Sequence, residues 1–120
     1  NMPKKNTEAI VQKWVEHVTS SSAKEIMYEA RIRAPIDTGA LHGSIHVEKD
    51  DRDMYRVVAG MDYAGYVEWG TVKMAAQPFL RPAINSAKER MRMRLDKMRE
   101  GLSAELGVNT RIRRVIENEE

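Results

Sequence analysis

The sequence predicts an α+β domain: a small antiparallel β-sheet packed with a long N-terminal helix and a long C-terminal helix. Three observations predict it. Residues 7–33 place apolar side chains at helical spacing, residues 45–60 alternate as a β-hairpin does, and the residues after Pro82 carry a second helical stripe. At 120 residues the chain reads as one domain, 1–120, with 101–120 set apart as an extension or arm.

Each element has its own signals. Thr7 serves as an N-cap, and Val11, Trp14, Val15, Val18 and Ile26 share one helical stripe. Thr19-Ser20-Ser21-Ser22 compete for backbone hydrogen bonds, which leaves a bend or a break open at that point. Ala34-Pro35 ends the helix, because the residue before proline is pushed out of the α region. Asp37-Thr38-Gly39 is turn chemistry, and Asp37 or Thr38 can cap a short helical turn through Leu41 and Ser44.

From Ile45 the pattern alternates, Ile45 and Val47 against His46 and Glu48. Asp50 to Asp53 forms a polar connection, and Tyr55, Val57, Val58 and Ala59 make the return strand up to Gly60. Asp62 reads as the N-cap of a short helix from Tyr63 to Trp69, ended by Gly70. In the last helix Ile84, Ala87, Met91, Leu95, Met98, Leu102 and Leu106 fall on one face, with Met93 on the opposite one. Gly101 leaves a continuous helix and a helix–turn–helix both open. Beyond Gly107 the chain alternates weakly, as a short strand or a partner-dependent tail would.

Composition removes several function classes. With no cysteine there is neither a disulfide framework nor a thiolate metal site. No run approaches the roughly 20 apolar residues of a membrane span. The lysines near the start have no apolar stretch behind them, so no signal peptide is expected, and Met2 reads as the natural start. Net charge is only +2, but residues 81–100 hold seven basic side chains against three acidic ones. Lys88, Arg90, Arg92, Arg94 and Lys97 on this helix are the candidates for contact with nucleic acid, and a small DNA-binding module is the alternative reading.

Chemistry finds little support. His42 and His46 are four apart, yet Ile45 onward reads as strand, so they share no helical face and no third ligand is indicated. Asp37 and Asp62 stand where turns and caps want aspartate. No nucleophile elbow surrounds any serine. Neither enzymatic activity nor a cofactor nor a metal is expected.

The stretch "YVEWGTVKMAAQPFLRPA" (residues 66–83) calls for a different job. Tyr63, Tyr66 and Trp69 recur three apart on a helix too short to be stable unless docked, so each is either core or contact surface. Pro78 and Pro82 fix the backbone around Phe79-Leu80-Arg81 beside a loop of small and polar residues. Rigid aromatic and arginine anchors beside an adaptable loop suit a protein–protein contact, which makes Tyr63, Tyr66, Glu68, Trp69, Gly70, Thr71, Lys73, Met74, Phe79 and Arg81 the interface candidates.

Two motifs in order resemble the tail-completion, head–tail joining and minor tail proteins of long-tailed phages and prophages. The first is the turn carrying Pro35, Asp37, Thr38, Gly39, Leu41, Ser44 and Ile45. The second runs from Tyr63 and Ala64 through Tyr66, Val67, Glu68, Trp69, Gly70 and Thr71 to Met74 and Pro78–Ala83. The resemblance implies a structural, non-enzymatic virion subunit, made in the host cytoplasm and placed at the neck. It implies a homo-oligomeric ring, six-fold, touching tail-tube and head-connector proteins, with genomic DNA passing through its channel without sequence-specific binding. It implies no membrane partner.

Overall fold

The computed structural model describes residues 7–35, 39–50 and 54–107. Six elements follow in order: α1 Thr7–Arg33, α2 Ala40–Ser44, β1 Ile45–Lys49, β2 Tyr55–Ala59, α3 Ala64–Trp69 and α4 Leu80–Leu106. The α+β class, the hairpin and both long helices are as the sequence predicts. Asp37, Thr38 and the segment after Gly107 lie outside the described residues, and with them the proposed caps of α2 and the weakly alternating tail.

The hydroxyl cluster does not break α1, which is one helix from Thr7 to Arg33. Thr19 Oγ1 donates to the carbonyl of Val15 at 2.8 Å, and Ser20 Oγ to that of His17 at 3.3 Å. The side chains bond back onto the preceding turn instead of drawing the backbone out of it. Arg31 then fastens the end of α1 to the hairpin, donating Nε and Nη2 to the Ile45 carbonyl at 2.9 and 2.7 Å.

β1 and β2 pair antiparallel, in register from Ile45 opposite Ala59 to Lys49 opposite Tyr55. Asp50 Oδ1 accepts the Met54 N–H at 3.0 Å and so tightens the connection. The N–H groups of Gly60 and Asp50 donate to the carbonyls of Ser44 and Met54. The hydrogen-bonded pairs are therefore 44/60, 46/58, 48/56 and 50/54, and Tyr55, Val57 and Ala59 turn their backbone groups to the outer edge of β2. Among the described residues no third strand covers that edge.

The core gathers where the second half of α1, the hairpin, α3 and the start of α4 meet. Met27, Ala30, Ala34, Leu41, Ile45, Ala64, Phe79 and Ala83 form one buried cluster, and Phe79 and Ile45 are its largest fully buried side chains. Leu41 and Ile45 of the first motif are thus core residues, and Ser44 Oγ caps the turn between them by donating to the Leu41 carbonyl at 2.7 Å. This motif builds the fold.

α4 runs unbroken through Gly101 and ends at Leu106, with Gly107 in the left-handed region at φ 69°. Its buried face differs from the apolar stripe read in the sequence. Ala83 and Ala87 are buried, whereas Ile84 and Leu95 are 44% and 45% exposed. Met93 faces solvent as expected.

The reason is the antiparallel contact with α1, which small and charged residues make. A Cβ on Gly101 would lie 2.3 Å from the Trp14 ring, so glycine is what lets the indole lie against α4. Trp14 Nε1 donates to Glu105 at 3.0 Å. Nearer the core, Glu25 takes ion pairs from Arg90 and from Arg94, the latter at 2.5 Å, and Arg90 also reaches Glu29 at 3.1 Å. Gly101→Ala is expected to cost about 1–2 kcal/mol even though alanine is the better helix former by roughly 1 kcal/mol, because the ring must move off its seat. A shift in the urea midpoint measures it; an unshifted or higher midpoint refutes the close approach.

Candidate functional site

The junction of α3 and α4 is built around one buried carboxylate. Glu68 is 3% exposed. Its Oε1 accepts the N–H groups of Phe79 at 2.9 Å and Leu80 at 2.8 Å, and its Oε2 accepts the Arg81 N–H at 3.1 Å. These are orphan donors of the first turn of α4, where Phe79 itself offers no side-chain cap. Arg81 Nε donates to Oε2 at 2.8 Å and Nη2 to the Glu68 carbonyl at 2.9 Å, closing the clamp.

Burial pushes the Glu68 carboxyl upward, but the N–H groups of Leu80 and Phe79 and the Arg81 guanidinium and N–H outweigh it. The pKa is held at about 2. The carboxylate is a charged cap and is not available to accept a proton near neutral pH.

The clamp holds a projecting loop. The Gly70 N–H donates to the Tyr66 carbonyl at 2.8 Å and the Gln77 N–H to the Val67 carbonyl at 2.8 Å, so both feet of the loop stand on α3. Thr71 and Met74 bridge across it, with Val72 and Lys73 at the tip. Thr71 Oγ1 accepts the Lys73 N–H at 3.2 Å. Gly70 adopts φ 76°, and a Cβ there would lie 2.7 Å from the Ala76 nitrogen.

Over this rigid base the aromatic side chains stand clear. Tyr66 and Trp69 are 61% and 67% exposed, Val72 wholly so, and Tyr63 and Met74 to a lesser degree. The Arg81 guanidinium lies 4.0 Å over the Trp69 ring and fixes the indole. The helix docks through Ala64, Val67 and Glu68, which leaves Tyr66 and Trp69 exposed and outside the core.

Several sequence expectations change. Glu68 and Phe79 are buried and act inside the junction, because one caps α4 and the other fills the core, so neither is a contact residue. Asp62 does not cap α3, whose N-cap position is Tyr63 without a side-chain bond. Arg90 and Arg94 are held by Glu25, Glu29 and Ser22, and they are not free for phosphates. Lys88, Arg92 and Lys97 remain exposed on α4, and Arg92 makes only a 3.9 Å contact with Glu89.

His42 and His46 do not converge. His42 Nδ1 bonds to the Arg31 carbonyl at 2.8 Å. His46 bonds through Nε2 to Glu48 and through Nδ1 to the Ser44 carbonyl, contacts that raise its pKa. Among the described residues no three His, Asp or Glu side chains gather as a metal site.

The sequence reading missed Tyr28 and Ile32, which are 57% and 73% exposed one helical turn apart on α1. The stripe gave only part of the signal: Ile32 falls in line with Trp14 and reads as its continuation, while Tyr28 lies about 40° to one side of it.

No described helix is long and apolar enough to cross a membrane. No curated protein and no solved structure matches the chain. A family model does, over residues 4–70, from α1 to the end of α3 and more than half of the chain, and its description reads "Bacteriophage HK97-gp10, putative tail-component". With that match over the turn, the hairpin and the aromatic helix, the chain belongs to the HK97-gp10-like family of bacteriophage tail components.

Proposed function

We propose that this tail component works at the neck of the virion, as a tail-completion or head–tail joining subunit that closes into a ring. The observation that carries the reading is the projecting junction, where Tyr66, Trp69, Val72 and Met74 stand exposed on a base stiffened by Glu68 and Arg81. Aromatic anchors held in one conformation lose little entropy on binding, as a recurrent contact requires. Tyr28 and Ile32 offer a second apolar surface of different composition on another element. Unlike surfaces on one subunit suit a heterologous, head-to-tail contact, which closes into a ring when the rotation permits.

In this reading the ring is six-fold and meets the tail tube and the head connector. Genomic DNA passes through it without sequence-specific contact, with Lys88, Arg92 and Lys97 facing the channel. The subunit has no catalytic role. The alternative, a DNA-binding module, loses support because Arg90 and Arg94 are spent on α1.

Light scattering over a range of protein concentrations, with negative-stain images of the same fractions, tests the ring. Discrete closed oligomers with a central hole wide enough for duplex DNA are expected, while open filaments or a compact dimer would overturn it. Duplex DNA binding by the isolated subunit is expected to be weak. Tight binding that falls steeply with salt would favour the alternative.

A further inference from the structure

A large apolar groove of about 1020 Å³ lies away from the junction, along α1 between β2 and α4. Val11 and Val15 form its floor, Met54 and Val57 one wall, and Met91 and Leu95 the other. The helix–helix contact leaves this part of both apolar stripes open, with Val15 39% and Leu95 45% exposed. The junction is its opposite in shape. There Tyr66, Trp69, Val72 and Met74 stand out on and beside a loop whose two feet are pinned to α3. One chain thus carries an apolar trough and an apolar prong on different elements, and the described residues cover neither.

We propose that the 71–77 loop of one copy, with Tyr66 and Trp69 at its base, seats in the groove of a second copy. This contact rests on the ring reading above and assigns the two unlike faces that a head-to-tail assembly brings together.

Four observations select a second copy as the occupant. The first is composition: Met54 and Met91 stand in the walls, and flexible thioethers adapt to the faces and edges of aromatic rings. Charge is the second. Glu8 is the one charged side chain lining the groove, and Lys73 is the one charge between Gly70 and Leu80, so the pair of opposite sign fixes the register. Rigidity is the third. The Gly70–Tyr66 and Gln77–Val67 hydrogen bonds and the Thr71–Met74 bridge shape the loop before any contact, which keeps the entropy lost on docking small.

Area is the fourth. The uncovered parts of Tyr66 and Trp69 amount to roughly 250 Å². Val72, Met74, Ala75, Ala76 and Gln77, all exposed, carry the sum toward the about 800 Å² per partner of a stable interface. In a closed ring every copy uses its prong and its trough at once, so neither apolar face is left in water.

The absence of native cysteine allows a direct test. One variant carries Val72→Cys at the loop tip, and a second carries Val15→Cys in the groove. Lys13→Cys and Ile32→Cys, at α1 positions outside the groove, are the controls. In a glutathione redox buffer, the first two variants mixed in equal amounts are expected to form a mixed disulfide dimer at least tenfold faster than Val72→Cys with either control. Equal rates would overturn the proposal. Preferred linkage to Ile32→Cys would move the acceptor to the Tyr28–Ile32 surface, overturning the groove while leaving the ring intact.

A chain carrying both Val15→Cys and Val72→Cys separates the contact from the ring. A disulfide ladder running past the dimer is expected. A ladder that stops at the dimer would support the loop-and-groove contact and refute the ring, and a disulfide closed within one chain would refute the contact. In the cysteine-free chain, Leu95→Glu places a charge on the groove wall at a half-exposed position. It is expected to raise the concentration needed for oligomers at least tenfold, with the helical circular dichroism retained. Unchanged assembly of that variant would also overturn the proposal.

Discussion

Glu68→Ala is expected to lower the stability of the fold by about 3 kcal/mol. The substitution strips three N–H groups of the first α4 turn of their shared acceptor, one of them in buried Phe79, and leaves Arg81 without its partner. Loss of a single cap costs about 1–2 kcal/mol, and hydrogen bonds to a charged group about 1.5–3 kcal/mol each. The half-exposed Arg81 can turn to water, which keeps the sum from growing further. Glu68→Gln retains one acceptor oxygen but not the charge, and should lose nearly as much, about 2–3 kcal/mol.

The same clamp sets a pH dependence. The carboxyl of Glu68 is depressed in the folded chain from its ordinary 4.5 to about 2. A depressed folded pKa gives stability that is complete above the unfolded value and is lost as pH falls through the folded one. The contribution, about 3 kcal/mol, is therefore present above about pH 5 and drains away toward pH 2. Urea midpoints of wild type and the glutamine variant should differ at pH 7 and converge as pH falls toward 2. A difference that stays constant would contradict the charged-cap assignment.

Gly70→Ala is the second large effect. At φ 76° and ψ 176° a side chain is strained by roughly 1–3 kcal/mol, and the added Cβ would meet the Ala76 nitrogen at 2.7 Å and the Met74 carbonyl oxygen at 2.9 Å. Both contacts are backbone and cannot swing aside. The loop from Thr71 to Gln77 should release its Gln77–Val67 hydrogen bond, at an expected cost of about 3 kcal/mol. Faster hydrogen exchange at the Gln77 amide and a lowered urea midpoint check it. Wild-type exchange at that amide would show the close approach to be unnecessary.

The parts of the fold legible in the sequence were those governed by local pattern. The bounds of α1 follow from the stripe and from Pro35, and the hairpin from alternation broken by Asp50. What escaped was set by distant partners. Nothing around Glu68 announces a cap, because the N–H groups it accepts come 11 to 13 residues later. The buried face of α4 escaped for a related reason. Hydrophobicity singles out Ile84 and Leu95, yet α1 is met by Ala83, Ala87, Gly101 and two arginines, which pack by size and charge.

At the junction, sequence spacing grouped Tyr63, Tyr66 and Trp69 but left open whether they were core or surface. The docking of α3 through Ala64, Val67 and Glu68 turns Tyr66 and Trp69 outward. Phe79 went the other way, since the clamp that caps α4 also draws the residue before Leu80 into the core.

The most direct test of the assembly reading is the yield of infectious particles when heads and tails are joined in the presence of a Tyr66→Ala, Trp69→Ala subunit. Both side chains are exposed and outside the core, so the variant should keep wild-type stability and helical content. A folded subunit and a joining yield at least tenfold lower are expected. A folded variant that joins heads to tails at the normal yield would contradict it.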